Sequence, residues 1–288
     1  MDLVKSDVIS CSRRTDIPAF LMNWIQEQIN QRYVKVVNPF NRSIISMVSL
    51  DPTDVIAWVW WSKNFGPWIE VFKEDPRLFT QYPIHIFNFT INSVSELESG
   101  LKIPLKDRFD QLNWLVSTFG RHNVQVRFDP IVLYEKYEKN GIYSNLTDFE
   151  QIISSVSKIG IREIIFSFVQ VYSKVKKRMH RRGKKILELS TEQKKEELGS
   201  LLEICNKYGI VMKACCHPDL VGYKGIRQAH CINGDLIYEL SKGKIQLQKD
   251  KGQRKSCECQ KSRDIGGYTG IFTCKHNCDY CYANPSWK

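Results

Sequence analysis

Apolar runs of strand length alternate along this chain with amphipathic stretches of helix length, and this alternation restricts the fold more than any other feature. Strands that alternate with helices form parallel sheets. The predicted strands are Val8–Cys11, Val34–Val37, Ile56–Trp61, Ile84–Phe89, Val124–Phe128, Glu163–Phe168 and Ile210–Ala214, with Ile44–Val48 as a hairpin partner of the second. The predicted helices are Ala19–Gln31, Leu105–Phe119, Asn145–Ile159, Thr191–Tyr208 and Gly234–Leu240.

This pattern predicts an α/β fold with two parts. Residues 1–217 are expected to form a parallel (β/α) barrel of the TIM type, complete or partial. The repeat fades after residue 217, and the cysteines become dense. Residues 218–288 are therefore expected to form an irregular cysteine-rich segment that packs on the barrel mouth.

Charged residues follow several of the predicted strands. In parallel α/β barrels the carboxyl ends of the strands carry the active site, so these side chains should meet at one mouth. Arg127 and Asp129 are two residues apart and should point to the same side of their strand. Such charges either hold a substrate or cofactor, or they brace the mouth through ion pairs. The candidates are Arg13, Arg14, Asp16, Lys63, Arg127 and Asp129.

The cysteines indicate a metal centre near the C-terminus. Five of the ten cysteines fall within residues 257–281, and clustered thiols in a reducing compartment favour metal binding over disulfides. Cys274, Cys278 and Cys281 have CxxxCxxC spacing. Three thiolates on a 4Fe–4S cluster leave one iron open for another ligand. The alternative is a zinc site, for which His276 or Cys259 would be the fourth ligand.

A second group of cysteines precedes the first. Cys257 and Cys259 form CxC, and together with Cys215 and Cys231 they could hold a second cluster with full thiolate ligation. Cys216 could take the place of Cys215, because neighbours at a strand end point to opposite sides. The alternative is that these thiols are buried core residues, since free cysteine packs like a small hydrophobe.

Several stretches carry a resemblance to a known family. They are SCSRRTDIPAF (10–20), NPFN (38–41), WSKN (61–64), VRFDPIVL (126–133) and the cysteine-rich residues 257–284. They resemble an uncharacterised bacterial family with a domain of unknown function, whose members resemble radical S-adenosylmethionine (SAM) barrel enzymes. The resemblance covers nearly the whole chain.

The resemblance implies an activity, cofactors and a partner. Cys274, Cys278 and Cys281 would bind a 4Fe–4S cluster whose open iron holds SAM, and reduction by a flavodoxin or ferredoxin would release a 5′-deoxyadenosyl radical. Lys63, Arg127 and Asp129 would be the catalytic residues. The residues expected to contact the cofactor are Arg13, Arg14, Asp16, Asp264 and Tyr280.

The charge balance suggests an anionic substrate. Lys and Arg number 42 against 31 Asp and Glu, a formal charge of +11, which suits a nucleotide or nucleic acid. The densest basic run, residues 172–185, begins just past a predicted strand, although such runs are usually solvated faces. No apolar run is long enough to cross a membrane, and no secretory signal is recognisable, so a cytoplasmic protein is expected.

Two other functions fit the same sequence. One is an iron–sulfur protein for electron transfer or redox sensing that does not use SAM. The other is a zinc-stabilised nucleic-acid-binding module.

Overall fold

The structure is a computed structural model that describes residues 3–39, 41–254 and 256–283. Phe40 and Asn284, which belong to two of the motifs above, lie outside these ranges. The strands are β1 (Leu3–Val4), β2 (Val8–Cys11), β3 (Tyr33–Val37), β4 (Ile45–Ser49), β5 (Ala57–Ser62), β6 (Ile84–Thr90), β7 (Val124–Ile131), β8 (Leu133–Lys136), β9 (Lys139–Ser144), β10 (Glu163–Phe168), β11 (Lys184–Ile186), β12 (Val211–Ala214), β13 (Arg227–Gln228) and β14 (Arg263–Asp264). The helices are α1 (Ile17–Phe20), α2 (Met22–Asn30), α3 (Gly66–Glu74), α4 (Arg77–Thr80), α5 (Leu105–Phe119), α6 (Phe149–Lys158), α7 (Ser173–Arg181), α8 (Thr191–Lys207) and α9 (Gly234–Leu240).

Eight strands form one parallel sheet in the order β13-β12-β10-β7-β6-β5-β2-β14. The α/β class and the parallel sheet are thus confirmed. The pairings run from β13 at one edge to β14 at the other, and among the described residues none joins the two edges. A closed barrel is therefore not confirmed. Both edge strands come from the region after residue 217, so that region is part of the main sheet.

The two faces of the sheet are buried against different parts of the chain. Ile9, Trp58 and Phe87 belong to the core between the sheet and the helices, here called the outer core, on the outer face of the sheet. Their neighbours Val8 and Ala57 point to the opposite face, here called the inner face, and belong to a second core. The residues after 217 complete that second core through Ala229, Cys231, Ile232, Ile237, Ile245, Cys257 and Cys259. Burial on both faces explains the nearly continuous apolar runs that the sequence shows in these strands.

Two small sheets flank the main one. The predicted hairpin is present, with β3 antiparallel to β4. A second small sheet, β11-β8-β9, was not predicted. Its strands β8 and β9 belong to the excursion between β7 and α6, and β11 follows α7.

Two predicted helices differ from those observed, each for a local reason. The helix predicted at Ala19–Gln31 is divided, because Leu21 (φ −131°, ψ 31°) leaves the helical conformation between α1 and α2. The first part starts earlier than predicted, since the carboxylate of Asp16 accepts a hydrogen bond from Ala19 N (3.0 Å) and caps α1. The helix predicted from Asn145 begins only at Phe149. The Asn145 side chain instead accepts from Val132 N (2.9 Å) and donates to Pro130 O (2.8 Å), which fixes a loop.

Among the described residues, no helix combines the length and the apolarity needed to cross a membrane.

His85 provides a test of the packing of the outer core. Trp60 Nε1 donates to its Nδ1 (2.9 Å), and its Nε2 lies 3.0 Å from Phe79 O. Burial lowers the pKa of His85 from 6.5 to about 4. The neutral ring is favoured in the folded state, so protonation of the unfolded state below pH 6.5 should reduce the stability. Between pH 6.5 and pH 4 the loss should reach about 3 kcal/mol.

Urea unfolding across this pH range measures the effect. The His85→Phe variant should be less stable than the parent at pH 7 because Trp60 loses its acceptor, but its stability should fall less steeply as the pH drops. Equal slopes for the variant and the parent would contradict the assignment.

Candidate metal centres

Cys274, Cys278 and Cys281, the terminal thiols, lie together in one loop. Each of the three interacts electrostatically with the other two. Burial raises the pKa of Cys274 to about 12 and raises that of Cys278 further. These thiols are therefore neutral in the protein alone, and a bound metal would deprotonate them.

Buried polar contacts hold the loop of the terminal thiols in place. Lys184 Nζ donates to Asp279 Oδ2 (2.9 Å), and this ion pair is almost fully buried. Arg178, on α7, donates to the backbone carbonyls of Asp279 (3.2 Å) and Cys281. On the other side, Asp279 N donates to Leu97 O (2.8 Å). Part of the basic run predicted to meet a substrate thus supports the loop.

A buried charge pair adjoins the terminal thiols. Lys63 Nζ donates to Glu98 Oε1 (3.0 Å), and Glu98 also accepts from Tyr280 OH and from Asn92 Nδ2 (2.8 Å). Burial acts to raise the pKa of Glu98, but Lys63 and these hydrogen bonds hold it below its ordinary value. The second oxygen, Oε2, is buried and has no hydrogen-bond partner. Lys63 interacts electrostatically with Cys278 as well.

Arg127 and Asp129 form an ion pair at the end of β7, on the same side of the strand. Asp129 also accepts from Ser167 Oγ. Asn92 joins this pair to the previous one, because its Oδ1 accepts from Asp129 N (2.9 Å). Lys63, Glu98, Asn92, Asp129 and Arg127 are called the polar bridge below.

The Arg127 end of the polar bridge contacts a second set of thiols. Arg127 Nη1 lies 3.1 Å from Cys231 Sγ. Cys231 belongs to a group of five cysteines, here called the upstream thiols: Cys215, Cys216, Cys231, Cys257 and Cys259. The Sγ atoms of Cys215 and Cys231 are 2.9 Å apart, and those of Cys215 and Cys216 are 3.9 Å apart.

Interactions between side chains connect the upstream thiols into a ring. Cys216 interacts with Cys257, Cys257 with Cys259, and Cys259 with Cys231. The sequence prediction named four of these five residues and treated Cys216 only as a substitute for Cys215. All of them are free thiols.

Neither set is arranged around a single ion. In the described ranges no group of three or more His, Cys, Asp or Glu side chains could hold one metal ion as it stands. The thiolates of an iron–sulfur cluster bind different irons and do not surround one common point.

Two predicted cofactor ligands bind the protein itself. Asp264, on β14, accepts from Ser10 Oγ (3.0 Å), Ser12 Oγ (2.7 Å) and Arg13 N (2.7 Å) at the end of β2. Asp264 therefore joins the C-terminal region to the first strand of the main sheet. Its oxygens are occupied by these donors.

The Asp16 carboxylate is occupied in a similar way. It accepts from Lys63 N (2.9 Å) and Ser62 Oγ (2.7 Å) in addition to capping α1, and it contacts His276 Nε2 (2.7 Å). His276 is in the loop of the terminal thiols, so Asp16 anchors that loop to the sheet.

The two arginines after β2 lie apart from each other. Arg13 stacks on Trp61 (Cζ 5.4 Å from the ring centroid), and Arg127 is equally close to the same ring. Arg14 lies over Tyr268 (5.8 Å) and donates to Gly266 O (3.1 Å). Arg13 thus lies toward the upstream thiols and interacts with Cys231 and Cys259.

Comparison with known proteins identifies the family. The family model described as "Domain of unknown function (DUF1848)" matches residues 8–283. The chain belongs to the DUF1848 family. No curated protein matches it. A solved structure described as the IOLI protein with a bound zinc atom shares 13% identity over 60% of this chain and 51% of that one, with a TM-score of 0.24. The chain spans about half the length of that protein, and a likeness this weak carries no argument.

Sequence reasoning missed parts of this DUF1848 site. Glu98 lies eight residues beyond the end of β6, in a loop that pairs with Cys278 through an antiparallel bridge. Arg178 was noted only as part of a basic run, although its spacing from Val175 places both on one face of a helix.

Gly266 and Gly267 are required by packing, since a Cβ would come within 2.0 Å of Ser12 Oγ at the first and 2.7 Å of Phe272 at the second.

Gly100 tests how tightly the loop of the terminal thiols is held. Its N–H donates to His276 O (2.8 Å), and a Cβ would lie 2.0 Å from Lys275 O. Gly100→Ala should therefore destabilise the protein by about 1–3 kcal/mol, because backbone must move. Gly199→Ala is the matched control in the middle of α8, where a Cβ meets nothing within 4 Å, and it should stabilise by roughly 0.5–1 kcal/mol. Chemical unfolding of both variants measures the difference; an unchanged Gly100→Ala protein would show that this contact is loose.

Proposed function

We propose that this protein is an iron–sulfur enzyme of the radical SAM type and that the terminal thiols bind its 4Fe–4S cluster. One observation carries the proposal: three mutually interacting thiols, of which Cys278 is buried and the other two are half-buried, adjoin the Lys63–Glu98 ion pair near the carboxyl ends of β5 and β6. This is the edge where parallel α/β proteins carry their active sites. The barrel-like closure of the sheet and the cytoplasmic location expected from the sequence are part of the proposal.

The donor set fits such a cluster. Thiolates are the usual ligands of iron–sulfur clusters. The other seven cysteines are accounted for elsewhere: five are the upstream thiols, and Cys11 and Cys205 are in the outer core. Three thiolates leave one iron available for a substrate or cofactor, which distinguishes a catalytic cluster from one that is fully ligated by the protein.

The surroundings of the terminal thiols suit an anionic or zwitterionic ligand. Lys63, Lys174 and Arg178 interact electrostatically with Cys281. Lys174 also lies 6.0 Å from the ring centroid of Tyr268, whose ring contacts Arg14 as well. These cations would attract the carboxylate of SAM. When bound to an open iron and reduced, SAM supplies hydrogen-abstracting chemistry.

The role of the polar bridge in this proposal is to hold and orient a substrate. Lys63 and Arg127 present positive charge and Glu98 and Asp129 present negative charge, in two ion pairs. Arg127 and Glu98 are buried, and the other two side chains are partly buried. Glu98 Oε2 has no partner and would accept a hydrogen bond from a bound molecule. The net charge of +11 favours an anionic substrate, such as a nucleotide or nucleic acid. A reduced flavodoxin or ferredoxin would supply the electron.

The second candidate function is an iron–sulfur protein for electron transfer or redox sensing without SAM. The observation that favours it is the polar bridge itself, which contacts the upstream thiols through Arg127 and interacts electrostatically with the terminal thiols through Lys63. Zinc-stabilised nucleic-acid binding receives less support, because several of the basic side chains of residues 172–185 contact the loop of the terminal thiols.

Cleavage of SAM is the decisive test. Protein reconstituted anaerobically with iron and sulfide is incubated with SAM and dithionite, and 5′-deoxyadenosine and methionine are measured by mass spectrometry. The parent should form both products in equal amounts. Cys278→Ala should form neither, because the cluster loses a ligand.

The matched control is Cys205→Ala, which removes a buried cysteine of α8 outside both thiol groups and should leave product formation unchanged. A parent protein with a complete iron content that forms no 5′-deoxyadenosine would rule out the SAM enzyme and leave the electron-transfer protein.

A further inference from the structure

We infer that the upstream thiols bind a second iron–sulfur cluster, with Cys215, Cys231, Cys257 and Cys259 as its four ligands. This inference concerns other residues than the proposed catalytic cluster. It shares with that proposal only the assumption that the protein meets iron and sulfide in the cell.

Convergence of distant chain segments is the first argument. The upstream thiols come from the end of β12, from the loop after β13 and from the tail before β14, up to 44 positions apart in sequence. They nevertheless form one ring of sulfur atoms on the inner face of the sheet. Five thiols are an odd number and cannot all be paired as disulfides. Core packing does not explain the group either, because other small apolar side chains would fill the same space.

Charge is the second argument. Arg13 and Arg127 interact electrostatically with Cys231, and Arg254 with Cys215 and Cys216. Arg13 Nη2 is buried without a hydrogen-bond partner. Buried guanidinium groups are costly unless negative charge lies beside them. Asp129 pairs with Arg127, and Asp250 lies 3.6 Å from Arg13. Neutral thiols add no further negative charge, whereas an all-thiolate cluster is an anion and would complement this group of three arginines.

Burial distinguishes the four ligands from the fifth thiol. Cys215, Cys231, Cys257 and Cys259 are at most 8% exposed. They also form an unbroken chain of contacts without Cys216. Cys216 is more exposed and has a left-handed backbone (φ 58°). The structure therefore assigns Cys216 to the rim of the site.

The spacing of the ligands favours iron over zinc. Structural zinc sites usually take two ligands from C-x₂₋₄-C pairs. Here the nearest pair, Cys257 and Cys259, is separated by a single residue, and Cys215 and Cys231 are far apart in sequence. The Arg127 Nη1 contact to Cys231 Sγ is of the kind that tunes cluster potentials. With four thiolates, this cluster has no open iron and should not bind SAM.

Iron and sulfide analysis of anaerobically reconstituted full-length protein tests the inference. The parent should contain about eight iron and about eight sulfide per chain, and Cys231→Ala and Cys259→Ala about four of each. Cys278→Ala should also retain about four, now at the upstream site. Cys205→Ala and Cys216→Ala should retain the full content. Circular dichroism shows which variants fold.

Electron paramagnetic resonance of the reduced variants separates the two clusters. The signal that remains in Cys278→Ala belongs to the upstream cluster and should not change when SAM is added. The signal that remains in Cys259→Ala belongs to the terminal cluster and should change if the proposed function is correct. Failure of that response alone would refute the proposed function and leave the second cluster intact.

Three results would overturn the inference. The first is a folded parent with about four iron, all of it lost in Cys278→Ala. The second is zinc in place of iron at the upstream site of Cys278→Ala. The third is a cluster that survives Cys215→Ala but not Cys216→Ala, which would transfer the ligand role to Cys216.

Discussion

A parallel sheet that is apolar on both faces must be covered on both, and this requirement organises the whole chain. The helices cover the outer face, where Trp58 and Trp60 of β5 pack. The inner face carries smaller residues and is covered by the chain that follows β12. Because that chain holds most of the cysteines, covering the sheet also brings the upstream thiols together. The same path adds both edge strands to the sheet, so the cysteine-rich region cannot be separated from it without exposing apolar surface.

Three aspartate side chains hold the C-terminal region in place, in addition to the apolar packing. Asp16 and Asp264 each accept several hydrogen bonds from residues far away in sequence, and Asp279 accepts one from Lys184 of β11. Each of the three holds part of the C-terminal region against the rest of the protein. A carboxylate inside a protein is stable only with such donors. These contacts keep the terminal thiols in a defined loop through interactions of the protein alone. The thiols are thus positioned before any metal arrives, which reduces the ordering that binding would otherwise require.

The polar bridge lies between the terminal thiols and the upstream thiols and interacts with both. It consists of two ion pairs, Lys63–Glu98 and Arg127–Asp129, joined by the neutral amide of Asn92. The Arg127 end contacts sulfur, and the Lys63 end interacts with it electrostatically. A substrate held on the bridge would lie between the two sites. Binding of a substrate would explain why four charged side chains of the polar bridge lie at this edge of the main sheet. A purely structural role would not need so many. It also ties the proposed enzyme and the proposed second cluster to one region of the molecule.

Local sequence was sufficient for six of the eight strands of the main sheet and for several helices; the short edge strands β13 and β14 were not predicted. The strands β2 and β10 and the helix α5 have the predicted bounds, because their periodicity depends only on neighbouring residues. The common side of Arg127 and Asp129 follows from the two-residue repeat of a strand. The spacing of the terminal thiols likewise indicated one loop, since all three lie within eight residues of each other.

Only the tertiary structure decided what those residues contact. The carboxylates of Asp16 and Asp264, for which contact with a cofactor is predicted, accept hydrogen bonds from the backbone and side chains of the protein, and no local pattern reveals these partners. Glu98 and Cys216 entered the site through partners that lie 35 or more positions away in sequence. The order of the sheet, with its last strand beside its first, follows from burial over the whole chain. Sequence thus determined which segments could form, and long-range packing and charge pairing determined where their side chains meet.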